Sequence, residues 1–153
     1  PNKGAIVSQL SAEEVRQIFE TRIILEQGAL ALSIPNLTET DIEEAIKYIE
    51  LLNTASTGKE LSNYNKDFHN ILYRHCNNKY LLDMIDSLHR NVERYMRPYL
   101  LNVYNNELSQ TYHRKILSAA KGKQIQKAKE YLETHMEMAM CDLINALDKN
   151  REE

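Results

Sequence analysis

Apolar positions along the chain recur at intervals of three and four residues, the period of an α-helix that buries one face. They divide into six segments. The first is predicted over about 11–33: Ser11 with Glu14 three residues on makes a capping box, and Pro35 closes the segment. The second starts at Thr38, with Asp41 in the box position, and ends near Ser56, with Gly58 marking a turn. The third covers about 61–76, where Asn77-Asn78 breaks and recaps the chain. The fourth runs over about 79–103, with Pro98 predicting a kink or an early stop. The fifth covers about 108–121, Gly122 turns the chain, and the sixth runs over about 124–149. Connections this short favour antiparallel neighbours, so the expected fold is an all-α antiparallel bundle.

Some polar residues interrupt the apolar stripes. In the third segment the stripe reads Leu61, Asn65, Phe68, His69, Leu72, Cys76, so Asn65 and His69 stack one turn apart on the buried face. In the fifth, His113 leads Ile116, Leu117 and Ala120; in the sixth, His135 falls among Ala128, Tyr131, Leu132, Met138 and Ala139. His113 lies nine residues before Gly122 and His135 thirteen after it. In a helical hairpin rising about 1.5 Å per residue, the two come within roughly one turn of the same height. Two accounts fit: core histidines, each hydrogen-bonded to a neighbour, or a site where imidazole nitrogens bind a transition metal. His75 and His89 fall off the stripes or at their edge and read as surface or supporting groups.

The first segment aligns Ile18, Leu25, Ala29 and Leu32 with Arg22 among them. A buried guanidinium needs an anion. Glu26, four residues on, can supply it, and so can a bound carboxylate held by two parallel hydrogen bonds. Gly28 in the same helix predicts close approach of another helix. In the fourth, Leu81, Ile85, Leu88, Val92, Tyr95 and Tyr99 form a near-heptad stripe flanked by Arg90, Arg94 and Arg97, of which Arg94 is the candidate to face a polar cavity. Nine Tyr against two Phe suit a pocket wall carrying hydroxyls, or equally a bundle surface.

Composition narrows the class. The chain has 153 residues, one domain by length, with 4 Gly, 3 Pro and no Trp. The expected layout is a linker or arm at 1–10, a ligand-binding domain at 11–148 and a charged tail at 149–153. Nineteen basic against 22 acidic residues give a net charge of −3, against a free-standing nucleic-acid binder. No apolar run approaches the roughly 18 residues that span a bilayer, and no signal-peptide pattern is present, so no membrane partner is expected. Cys76 and Cys141 lack metal spacing, read as small apolar fillers and suit a reducing, cytoplasmic setting. Pro1 at the start, without Met, implies processing or a piece of a longer protein. No Gly-rich phosphate loop and no G-x-S-x-G elbow occurs. None of the five histidines has Glu three residues before it, as a di-iron carboxylate bundle requires, and Asp86 with His89 comes nearest. The chain is therefore expected not to be an enzyme.

Four segments taken together resemble a known family. They are Phe19-Glu20-Thr21-Arg22 through Leu25-Glu26 to Ala29 and Ala31; Asn65-Lys66-Asp67-Phe68-His69 with Leu72, Asn78 and Leu81; His113-Arg114-Lys115-Ile116-Leu117 with Ala119-Ala120 and Gly122; and Ala128 followed by His135. In order and spacing these are similar to the FCD domain, the effector-binding C-terminal domain of the FadR branch of GntR-type bacterial transcription regulators. The resemblance covers about 10–147. It implies a bundle of six or seven helices around a central ligand and metal cavity, with a divalent metal, zinc or nickel, on Asn65, His69, His113 and His135. Asn65 stands where the family usually has Asp, and Tyr112 where a Glu usually precedes the third motif's histidine. A small organic acid would complete the site and pair with Arg22 and Arg94. A homodimer is implied, with DNA contacted only through a winged-helix domain that 153 residues leave no room for. The alternative is a helical dimerisation module whose inward histidines are core. A metal hydrolase using Glu26 or Glu133 as base is more distant.

Overall fold

The computed structural model describes residues 10–96 and 107–149, with only the backbone of 94–96. They form six α-helices and one 3₁₀ turn, with no strand among the described residues. The elements are α1 (Ala12–Ser33), the 3₁₀ turn (Ile34–Asn36), α2 (Glu39–Thr54), α3 (Gly58–Tyr73), α4 (Lys79–Met96), α5 (Glu107–Lys121) and α6 (Ile125–Lys149). The expected continuation of α4 to residue 103 and its break at Pro98 lie outside the described residues, as do Arg97 and the terminal stretches 1–9 and 150–153.

The helix starts follow local chemistry. Ser11 and Thr38 cap α1 and α2, each with its box partner, Glu14 and Asp41, returning a hydrogen bond to the cap backbone. α3 departs from expectation. Thr57 caps it, with Glu60 returning the bond, so Gly58 is the first helical residue and not a turn. Two reciprocal hydrogen bonds at the cap outweigh the flexibility of one glycine. α3 also stops at Tyr73, before Cys76, and the chain reverses with Asn77 in the left-handed region at φ 53°.

The α5–α6 turn falls at Gly122 as expected, with the left-handed residue one position on. Lys123, not Gly122, takes the left-handed conformation, at φ 54°. The Lys123 N–H bonds the Ala120 carbonyl and the Gln124 N–H the Ala119 carbonyl, the paired bonds of a Schellman ending. The Lys123 ammonium also donates to the carbonyls of Ile34 (2.8 Å) and Leu37 (2.7 Å), which ties this turn to the end of α1.

α2–α3 and α5–α6 are hairpins, and α1 packs chiefly on α6 and then on α4. One continuous core runs through the bundle, including Phe19, Leu30, Phe68, Leu72, Ile116 and Leu132. α1 buries Val15, Phe19, Ile23 and Leu30 around Arg22, whereas Leu32 is 52% exposed and Ile18 and Leu25 only half-buried. The buried face is thus rotated from the expected one, with Arg22 on it. Gly28 does not admit a neighbouring helix: a Cβ there meets no atom within 4 Å. Cys76 is buried but Cys141 is exposed, so only the first is a filler. Among the described residues no helix is long and apolar enough to cross a membrane.

Candidate metal centre

α3, α5 and α6 each deliver one histidine to the same point in the core. His69, His113 and His135 are all buried, and one ligand atom from each lies within 4.8 Å of the other two. The ring centroids of His113 and His135 are 4.4 Å apart, and His69 sits 5.5 Å and 5.4 Å from them. Phe68 closes one side, its ring 4.7 Å from that of His113. Burial drives all three imidazoles towards the neutral form, with help from one another and from Arg22; His135 is pushed down to about 4. At neutral pH the site presents uncharged lone pairs.

Second partners orient two of the rings. His113 Nδ1 lies 3.2 Å from Gln110 Oε1, an acceptor, so this nitrogen carries the proton and donates it. His113 Nε2 is then a bare acceptor, and it is buried without a hydrogen-bond partner. His69 Nδ1 lies 3.3 Å from the Tyr73 hydroxyl, and Tyr73 donates its own proton to Glu26 Oε2 at 2.8 Å. The tyrosine oxygen can only accept from His69, whose Nδ1 is therefore the protonated nitrogen. Burial and Glu26 hold the Tyr73 hydroxyl protonated. His135 Nδ1 and Asn65 Oδ1 are also buried and unpartnered. Buried polar atoms without partners are rare in proteins.

These residues fit a divalent metal. Its bonds of about 2.1 Å place tetrahedral donors roughly 3.4 Å apart, so the rings would close by about an ångström. Neutral imidazoles with the far nitrogen hydrogen-bonded are the usual preparation of a histidine ligand.

Arg22 is buried beside the triad and engages Glu26, as α1's i,i+4 spacing suggested: Nε and Nη2 both reach Glu26 Oε1 at 2.8 Å. Nη1 is the nitrogen these bonds do not use. Asn65, Arg22, Glu26, His69, Tyr73 and His89 line one small cavity of about 20 Å³, room for roughly one water. Asn65 thus shares this cavity with His69, as its stripe predicted. Asp67 is turned to Tyr48 instead. The side chain of Arg94 lies outside the described residues. A surface groove of about 600 Å³ between α1 and α4, lined by Glu14, Thr21, Leu88 and Arg90, contains none of the histidines.

Two participants, Tyr73 and Gln110, escaped the sequence, and a third, His89, lies deeper than expected. Tyr73 follows His69 by four residues and Gln110 precedes His113 by three, spacings that stack them on the same helix face. His89 lines the cavity, is pushed down to about 3 by burial and Arg22, and leaves Nδ1 unpartnered, so it lies deeper than its edge position implied. His75 sits apart, its Nε2 2.9 Å from Asp41. Glu133 is exposed and accepts from Gln27.

Comparison with known proteins places this architecture. The FCD domain profile matches residues 17–138. The chain is 24% identical to the uncharacterized HTH-type transcriptional regulator YdhC of Bacillus subtilis (strain 168), over 97% of this chain and 68% of that protein. A crystal structure of a GntR-family transcriptional regulator from Pseudomonas syringae pv. tomato superimposes with a TM-score of 0.86 at 30% identity, over 99% of this chain and 64% of that one. The chain thus spans about two thirds of the length of these relatives. The metal-free FCD domain of TM0439 shares the fold, with a TM-score of 0.77 at 16% identity over 93% of this chain and 99% of that one. A helical bundle with three inward histidines, matched by this profile over most of its length, belongs to the FCD domains of GntR-family transcription regulators.

Proposed function

We propose that this domain senses a small carboxylate metabolite through a divalent metal, zinc or nickel, held by His69, His113 and His135 with Asn65 or water. The carrying observation is the convergence of three buried, neutral imidazoles whose ligand atoms lie within 4.8 Å of one another. When bound, the metal would supply a Lewis-acidic centre for a carboxylate oxygen. Arg22 lines the adjoining cavity, with Nη1 left over from its pairing to Glu26. Arg94 remains a candidate for the same carboxylate.

Ligand binding would shift the bundle and so the spacing of two winged-helix DNA-binding domains in a cytoplasmic homodimer. That requires the ligand to bind the two states with different affinity. Two features support dimerisation: Ile24 (72% exposed) and Leu32 (52% exposed) lie on one outward stripe of α1, and Gly28 between them has open space at its Cβ position.

Metal analysis of the purified protein is the direct test. It should yield about one zinc or nickel per chain, and His113→Ala should lose it. Unchanged metal content in that variant defeats the assignment. The alternative, a dimerisation module with core histidines, draws support from the Gln110 and Tyr73 bonds, which satisfy one nitrogen each on His113 and His69. The unpartnered Nε2 of His113 and Nδ1 of His135 weigh against it. It predicts no metal and tolerance of His69→Leu.

A further inference from the structure

The donor set carries no charge, and that decides how the site can be filled. Three neutral imidazoles and an amide oxygen offer lone pairs to a cation but cancel none of its charge. The nearby carboxylates are engaged, including Glu93, which acts on His89 and accepts from Ser62. Glu26 receives Arg22 and Tyr73, Asp86 pairs with both Lys66 and Arg90, and Asp67 receives the Tyr48 hydroxyl. Residues 94–106, between the described parts of α4 and α5, contain no Asp or Glu. A divalent cation entering alone would therefore put two uncompensated positive charges into the core, where their desolvation opposes binding.

The complementary ligand fares no better by itself. The two cations lining the described cavity are already paired, Arg22 with Glu26 and Lys66 with Asp86. An anion entering alone meets the bare Nε2 of His113, an acceptor, and one leftover donor, Arg22 Nη1, on a cation already neutralised by Glu26. Together the two ligands cancel: two positive charges from the metal, two negative from a dianion. A monoanion leaves one charge unmatched.

Resting on the metal-sensing proposal above, we infer that metal and anion bind this site cooperatively, with a dicarboxylate-type dianion preferred, so that the domain reports the coincidence of both. Each ligand raises the affinity of the other by the same factor, since linkage is reciprocal.

The experiment titrates the purified chain with zinc from a buffered free-zinc series, alone and with succinate, malate or acetate, so that the anions' own weak chelation does not count. The expected result is zinc binding about tenfold tighter or more with either dicarboxylate, clearly less with acetate, and no calorimetric binding of succinate without zinc. Asn65→Asp supplies the missing charge; it should bind zinc at least about tenfold tighter than wild type with no anion present, and lose most of the coupling. Asn65→Ala, still neutral, should keep the coupling. Equal zinc affinity of the wild type with and without both dicarboxylates overturns the pairing, as does an Asn65→Asp variant that folds and binds zinc no better. If zinc still binds in those cases and His113→Ala loses it, the metal site stands and only the coupling falls. If the wild type binds no zinc under any condition, both proposals fall.

Discussion

At His69 the ring tautomer is chosen by a residue four positions along the same helix. Tyr73 gives its proton to Glu26, accepts from His69 Nδ1, and so leaves Nε2 as the free base. Glu26 is itself anchored by two nitrogens of Arg22. Tyr73→Phe removes the hydroxyl from the middle of this chain while keeping the ring's volume. It should cost about 1–3 kcal/mol, because Glu26 loses a donor in the core, and weaken zinc binding by roughly 10- to 100-fold through loss of ring orientation. Urea unfolding and zinc competition measure the two effects separately. The histidines themselves were legible because each breaks an apolar stripe. Tyr73 was not, because a tyrosine continues a stripe without interrupting it, and its hydroxyl's partner comes from another helix. For Arg22 the i,i+4 partner was foreseeable, since both residues share one face of α1.

Between elements, two polar joints hold the helix ends. In one, Asp41 at the start of α2 accepts from Thr38, from Arg74 and from His75, while Ser33 at the end of α1 accepts the His75 backbone N–H. Burial pushes the Asp41 carboxyl up, but these hydrogen bonds win and hold it well below the usual carboxylate range. A depressed carboxyl stabilises the fold above its unfolded pKa, near 3.9, and that contribution drains away as the pH falls below it. Asp41→Asn should therefore be clearly less stable than wild type at pH 7, with the gap narrowing towards pH 3, as followed by denaturant unfolding across that range. The second joint is Lys123. Its ammonium satisfies the Leu37 carbonyl and adds a second donor to the Ile34 carbonyl, which also takes the Leu37 N–H. Lys123→Ala should cost about 1 kcal/mol, a modest figure because the side chain is partly in water. Lys123→Gly should cost less, because glycine relieves the left-handed conformation. Thermal denaturation of the two variants checks the order. Both joints were hidden from a periodicity argument. Gly122 was legible as a turn residue, but Gly58 misled, because the reciprocal cap of Thr57 and Glu60 starts α3 there.

Across the whole molecule, the all-α bundle and its helix order were legible from spacing and caps. The rotation of α1 was not: Ile24 and Leu32 are apolar but face outwards, and only packing against α6 and α4 decides which side of an evenly apolar helix goes in. If that outward stripe is where two copies meet, Ile24→Glu should shift the protein towards monomer in light scattering, with little change in helicity by circular dichroism. An unchanged mass would move the interface elsewhere. The size of the cavity was equally beyond a sequence argument, because about 20 Å³ depends on how side chains from three helices close over one another.

The pairing of α1 with α6 has a consequence for how the protein is made. These helices are the first and last of those described, and Gln27 on α1 bonds the Lys129 carbonyl and Glu133 on α6, contacts more than 100 residues apart in sequence. The α2–α3 hairpin can form as soon as it leaves the ribosome, but the core of this bundle cannot be sealed until α6 has been synthesised. His135 is on that helix. Of the three imidazoles, His69 emerges first, then His113, and the set is complete only once α6 has emerged. A nascent chain therefore cannot offer the full triad, and any metal it carries must be acquired after the bundle has closed or as it closes.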